Sequence, residues 1–161
     1  MDKTRHKLSV PFKYESKIIS KSSDVRIYRN AELLHPGEFS DSITRAPVIY
    51  TASTLQKGAT NWTEDFLDID HSWGTLDRIG RIKNPRGKNG TIYADLHIYP
   101  ITQRAKDTIA LIDAGIVNSL SVELMSNDRW DPEDSKRYAD DIEFIGCAVC
   151  THPADSQTRI R

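Results

Sequence analysis

The sequence predicts a mainly β fold with helices attached, and three observations lead there. Apolar and polar residues alternate with a period of two in several runs, as in "TIYADLHI". Clusters of Pro, Gly, Asn, Asp and Ser cut the chain into short extended pieces. A single segment, Ile101 to Ile116, carries a helical period instead. Many strands with one clear helix favour a β-barrel or sandwich.

Taken in order, "KLSVPFKYESKIIS" reads as extended, with Pro11 at an edge or strand start. "DVRIYR" is a short strand, "HPGEFSDS" a turn and "APVIYTAS" another strand. "TLQKGATNWTED" reads as a polar loop, and "FLDIDHSW" alternates. "RIGRIKNPRGKNGTIYADLHIYP" is expected to form two strands about a Pro/Gly/Asn turn, with Ile92, Ala94, Leu96 and Ile98 on one face. Ile101, Ala105, Ile109, Ile112 and Ile116 then line one helical face, and Gly115 stands where a helix C-terminus is capped. "SNDRWDPEDSKRYADD" reads as a long charged loop. "IEFIGCAVC" is a nearly continuous apolar strand, the pattern of one buried on both faces.

The 161 residues suit one domain spanning 1–161. A net charge of −1 calls for neither nucleic acid nor an anionic membrane. No apolar run has the length of a membrane span, and "MDKTRHKLSV" lacks the apolar core of a secretory signal. On one strand Cys147 and Cys150 are too far apart for a favourable disulfide, which suits a reducing, intracellular setting.

The chemistry centres on "LIDAGIVNSLSVEL". In the strand after Gly115, Leu120, Val122 and Leu124 point one way, and Ser119, Ser121 and Glu123 the other. A serine on a rigid strand is well placed as a nucleophile, which needs a base and a group to orient that base. His71 is the candidate base. The alternation in "FLDIDHSW" puts it on the face of Leu67 and Ile69, with Asp68 and Asp70 opposite. Glu143 is the candidate orienter. It opens the most apolar strand, on the face of Ile145, Cys147 and Val149, where a carboxylate needs a partner. That partner is a histidine or an arginine such as Arg78 or Arg81.

The order of these pieces resembles the tailed-virus prohead (capsid maturation) serine protease family. The resemblance rests on His71 with Ile79-Gly80-Arg81, on Ala114-Gly115, on Leu120-Ser121-Val122, and on Glu143 with Pro153-Ala154. It covers roughly residues 60 to 157. The family is similar in fold to the herpesvirus assembly proteases, which implies a β-barrel ringed by helices. The resemblance implies Ser121 as nucleophile, His71 as base and Glu143 as third member, where the herpesvirus enzymes have a second histidine. Asp141 and His152 are the alternatives that strand register decides between. Backbone N–H groups at Thr151 and His152 would form the oxyanion hole. The chain departs from the family pattern at Glu123, where glycine is usual, at Leu124 and at Asp155.

The implied activity is autoproteolytic capsid maturation inside the viral prohead, in the host cytoplasm. Scaffold protein, major capsid protein and the protease itself would be the substrates, with self-association and without nucleic acid or membrane. The alternative on the same fold is a catalytically inactive assembly or scaffold protein. No cofactor is called for. A zinc site at Cys147, Cys150 and His152 lacks a second ligand pair. A metal cluster of Asp68, Asp70 and His71 is disfavoured because a strand turns the carboxylates away from the imidazole.

Overall fold

The structure, a computed structural model, describes residues 3–20, 24–40, 43 and 46–151. Among the described residues, ten strands form one mixed sheet: β1 (Thr4–Pro11), β2 (Ser16–Ile19), β3 (Arg26–Leu34), β4 (Gly37–Ser40), β5 (Pro47–Tyr50), β6 (Phe66–Ile69), β7 (Arg78–Lys88), β8 (Thr91–Ile98), β9 (Ser119–Asp131) and β10 (Lys136–Cys150). The helices are α1 (Ala52–Gly58) and α2 (Gln103–Asp113). The main path runs β1-β9-β10-β6-β7-β8-β3-β2, with β5 paired to β10 and β4 to β5.

The mainly β class holds, but the strand path is open and two α-helices accompany it among the described residues, rather than a ring of helices around a barrel. Its two ends, β1 and β2, are consecutive in the chain. The link between them bonds first to the β9 side, through Phe12 N–H to the Asn118 carbonyl, and then to β3. There Glu32 N–H donates to Lys13 and Glu15 N–H to Arg29.

Several elements differ from the sequence reading. Gly37–Ser40 is a strand, not a turn, because β5 supplies its ladder. The polar stretch after Tyr50 contains α1, started by Thr51, whose side chain accepts the Thr54 N–H. Leu55 and Ala59 anchor this helix in the core. The charged segment after Leu124 is not a loop: β9 and β10 continue through it as a long hairpin, in register from Asp131↔Lys136 to Asn127↔Asp140. Charged side chains alternate outward there while the backbone stays paired.

The β7–β8 turn is Asn89-Gly90, both left-handed, and Pro85 lies within β7 near a register shift. Ile92, Ala94, Leu96 and Ile98 are fully buried as the alternation requires. Gly80 marks a close approach: a Cβ there would lie 2.0 Å from the His97 carbonyl oxygen on β8.

Helix α2 begins at the Thr102 cap and ends with Gly115 in the left-handed region, its N–H bonded to Ile112. Ala105, Ile109 and Ile112 are buried, but Ile101 and Ile116 lie beyond the helix ends and are 81% and 60% exposed. Asp113 ties α2 to the sheet by accepting from the Tyr28 hydroxyl and from Arg26. The core gathers Leu8, Val10, Leu67, Val122, Leu124, Phe144 and Val149 with the β3 and β8 residues. No helix of the described residues is long and apolar enough to cross a membrane.

Candidate active site

The site is built on the sheet face opposite that core. Along β9, Leu120, Val122 and Leu124 are fully buried in the core. Ser119, Ser121 and Glu123 therefore share the other face. Register extends this face across four strands. Ser121 stands opposite Ser9 on β1 and Ala148 on β10, and Ala148 stands opposite Asp68 on β6. Glu123 stands opposite Lys7 and Gly146. Small neighbours thus flank the serine on both sides, and no side chain on β10 separates Glu123 from the β6 side.

His71 reaches this face because the strand stops. Ladder β6 ends at Ile69, and Asp70, His71 and Trp73 all have left-handed backbones, with φ near +53°, +53° and +60°. The two-residue alternation ends with the strand, so the imidazole leaves the face of Leu67 and lies near the carboxylate of Glu123. This corrects the placement expected from "FLDIDHSW". Asp68 organises the turn: its carboxylate accepts the backbone N–H groups of His71 at 3.0 Å and Trp73 at 3.2 Å. Such bonds stabilise left-handed residues that would otherwise cost about 1 kcal/mol or more each. Further bracing comes from Asp70 N–H to the Val149 carbonyl, Ser72 to Asp77, and Trp73 edge-on to Phe66.

Glu123 is the carboxylate beside His71. Its side chain is fully buried, with Oε1 3.8 Å from His71 Nδ1. Arg5 of β1 donates from Nε to Oε2 at 3.0 Å and places Nη2 2.9 Å from Oε1. Lys7 Nζ lies 3.8 Å from Oε1. The His71 Nε2 atom is buried and makes no hydrogen bond to any described residue. Ser121 is 4% exposed and two residues from Glu123 along β9, about 7 Å in strand rise.

Glu143 lies apart from His71. Two register shifts in β10, between Asp140 and Glu143 and between Phe144 and Gly146, break the alternation that grouped it with Cys147 and Val149. It pairs with Met125, accepts the Thr63 hydroxyl hydrogen bond and lies 3.5 Å from Lys3. Neither Arg78 nor Arg81 meets it: Arg78 covers the Phe66 ring and Arg81 binds Asp65. Of the alternatives, Asp141 is exposed and accepts from Asn127. His152 lies outside the described residues, as do Pro153, Ala154 and Asp155. Thr151 follows the last residue of β10 and is exposed.

The electrostatics follow from burial. Desolvation pushes the His71 imidazole down to about 4; Glu123 opposes this, while Lys7 and Arg5 reinforce it. The ring is therefore neutral at neutral pH. Desolvation raises the Asp68 carboxyl to about 6, against the pull of its two backbone N–H donors. Burial also raises the Cys147 thiol far above its ordinary range, so it stays protonated in the core. Among the described residues, no group of three or more His, Cys, Asp or Glu is placed to hold a metal ion. Asp68 spends its carboxylate on backbone amides instead.

Three of the surface clefts formed by the described residues lie away from Ser121 and His71. One runs between Lys3, Lys57, Asn61 and Asp140, another past Arg78, Arg81 and Tyr99, and a third beside Trp130 and Arg137. Sequence reasoning missed Arg5 and Lys7. Their signal is the alternation of β1, where Arg5, Lys7 and Ser9 oppose His6, Leu8 and Val10. Glu123 stood out only as a departure from a family pattern.

The chain matches no protein-family model and no curated protein. Among solved structures it is similar to the capsid assembly protease of bacteriophage T4, gp21. The TM-score is 0.66 at 11% sequence identity, over 92% of this chain and 99% of that one. At that identity the likeness is one of fold. The chain has a phage prohead protease-like fold, in which Ser121 and Glu123 share one face of β9 and His71 lies beside Glu123.

Proposed function

We propose that this single domain is a serine endopeptidase of capsid maturation. Its nucleophile is Ser121 and its base His71, with Glu123 in the supporting place that the sequence pattern assigned to Glu143. The observation that carries the reading is the shared sheet face: strand alternation and register put Ser121 beside Glu123, and the Asp68-capped turn delivers His71 to the same carboxylate. The fold likeness to a capsid assembly protease supports it.

The chemistry follows from the ring's orientation. With Nδ1 turned toward Glu123, Nε2 is the nitrogen left to take a proton. Nε2 removes the Ser121 hydroxyl proton as Oγ attacks the scissile carbonyl carbon. In this reading the oxyanion is held by backbone N–H groups, with Thr151 after β10 as the candidate among the described residues; the His152 donor that the resemblance implies lies outside them. The imidazolium then returns its proton to the leaving amine, and the acyl-enzyme forms. A water, deprotonated by the same Nε2, hydrolyses that ester. A ring kept neutral by burial is in the correct state to begin.

Scaffold protein, the N-terminal region of the major capsid protein and the protease itself are the substrates of this reading, inside an immature particle in the host cytoplasm. The test is co-expression of wild type and Ser121→Ala with the neighbouring capsid and scaffold proteins, followed by intact mass. Cleavage by wild type that disappears in Ser121→Ala supports the protease. Identical masses in both reject it.

A second reading, a non-catalytic assembly protein on the same fold, is favoured by one observation. Arg5, and not His71, makes the short contacts to Glu123. Under that reading Ser121→Ala assembles particles as wild type does and no product is shortened.

A further inference from the structure

Arg5 and His71 face the same carboxylate from opposite sides, and they do not share it equally. Arg5 donates a hydrogen bond from Nε to Oε2 at 3.0 Å, and its Nη2 lies 2.9 Å from Oε1 as an ion pair, while Oε1 accepts no hydrogen bond from a described residue. His71 Nδ1 stands 3.8 Å from Oε1, beyond hydrogen-bond length. A charge-assisted hydrogen bond from the guanidinium fixes the direction of the carboxylate as well as offsetting its charge. Lys7, at 3.8 Å, adds charge without that geometry.

Building on the protease reading, we propose that Arg5 is a positioning residue: it holds Glu123 toward β1 and so sets how strongly the carboxylate supports His71. The clamp comes from the rim. Strand β1 is an end of the main sheet path, and the Arg5 side chain is 47% exposed while Glu123 is fully buried. A small shift of one carboxylate, with Arg5 loosened, closes the gap to Nδ1.

The surroundings of His71 give this a measurable sign. Charged groups face it from β9 (Glu123), β1 (Arg5 and Lys7) and β6 (Asp68), while β10 offers only Gly146 and Ala148 at this level. Glu123 favours the imidazolium; Arg5 and Lys7 oppose it. Removing Arg5 takes away a cation and frees the carboxylate, and both changes raise the proton affinity of His71.

The experiment follows the His71 ring protons by NMR across pH in a Ser121→Ala background, with Arg5, Arg5→Lys, Arg5→Gln and Arg5→Met. In parallel, kcat and KM at neutral pH are measured on a capsid-derived peptide in chains that keep Ser121. Arg5→Gln and Arg5→Met are expected to raise the His71 midpoint by about one pH unit or more, and Arg5→Lys by less. Each neutral variant should raise kcat with KM little changed. Where Arg5→Met fails to fold, Arg5→Gln, which keeps a donor without the charge, gives the reading.

A midpoint that stays put or falls in a folded Arg5→Gln overturns the proposal. So does a raised midpoint with a lowered kcat, which would make Arg5 a necessary holder of Glu123. If wild type cleaves nothing, the protease reading fails by itself, and the titration still decides whether Arg5 and His71 contend for Glu123.

Discussion

Glu123 Oε1 and His71 Nδ1 lie 3.8 Å apart, both buried, with Gly146 rather than a side chain opposite Glu123 on the intervening strand. This relationship distinguishes two glutamates that the sequence places on comparable strands. Glu123→Gln removes the charge that supports the imidazolium. It should lower kcat/KM by about a hundredfold or more, as loss of the orienting carboxylate does in related chemistry. Glu143→Gln removes an ion pair with a half-exposed lysine and weakens one Thr63 contact. It should change stability by about 1 kcal/mol or less and leave cleavage near wild type. Peptide kinetics on both variants decide the assignment. A large loss in Glu143→Gln with little in Glu123→Gln would reverse it.

The acid limb of activity should be low. A base must be neutral to act, and burial holds the His71 imidazole down to about 4. The rate constant kcat/KM is therefore expected to persist below the ordinary histidine range and to fall as pH drops through about 4. A limb centred near about 6.5, the ordinary histidine value, would mean that the ring titrates as if solvated.

Stability carries two opposing pH dependences from the same turn. His71 takes up its proton near 4 when folded and near 6.5 when unfolded, so its contribution is complete above 6.5 and is lost as pH falls toward 4. Asp68 ionises near 6 when folded and near 3.8 when unfolded. Its contribution is complete below 3.8 and is lost as pH rises toward 6. Each is worth about 3 kcal/mol at most, with opposite sign, so wild-type stability should be nearly flat between pH 4 and 6 from these two groups. His71→Gln should leave stability falling with rising pH across that window, and Asp68→Asn should leave it rising. Denaturant melts at several pH values measure both slopes.

Much of the site was legible in the alternation of one strand. Ser119, Ser121 and Glu123 opposite Leu120, Val122 and Leu124 is a pattern that the structure keeps residue by residue. Two things were not legible, for a shared reason. The placement of His71 depends on where β6 stops, and that is decided by the Asp68 side chain capping a left-handed turn. The placement of Glu143 depends on bulges in β10, which shift the phase of a strand whose composition gives no sign of them. Extrapolating a period across either break assigns the wrong face. The same limit applies to the charged hairpin after Leu124, where polar residues on both outer faces mask a continuous ladder.

Ser9 faces Ser121 in register on β1, and it is 1% exposed. A larger side chain there would occupy the space beside Ser121, the proposed nucleophile. Ser9→Val keeps a β-favouring residue on the strand and should cost about 1–3 kcal/mol through overpacking. It should abolish most cleavage while the chain stays folded. Retained activity in a folded Ser9→Val would place the substrate's approach on the Ala148 side of Ser121.

Two glycines on neighbouring parts of the sheet should respond in opposite ways. Gly80 lets β7 approach β8, and a Cβ there would meet the His97 carbonyl oxygen at 2.0 Å and the Ile98 Cα at 3.1 Å, rigid β8 backbone with nothing flexible to yield. Gly80→Ala must push the β7–β8 pair apart, and the expected loss is about 3 kcal/mol or more. Gly146 stands opposite Glu123, and a Cβ added there meets nothing within 4 Å. Gly146→Ala should hold its Tm within a few degrees of wild type, because it adds a methyl group to open space without positive φ to strain. Thermal melts of both variants make the comparison. A Gly146→Ala chain as unstable as Gly80→Ala would mean that the space above Glu123 is filled in the folded protein.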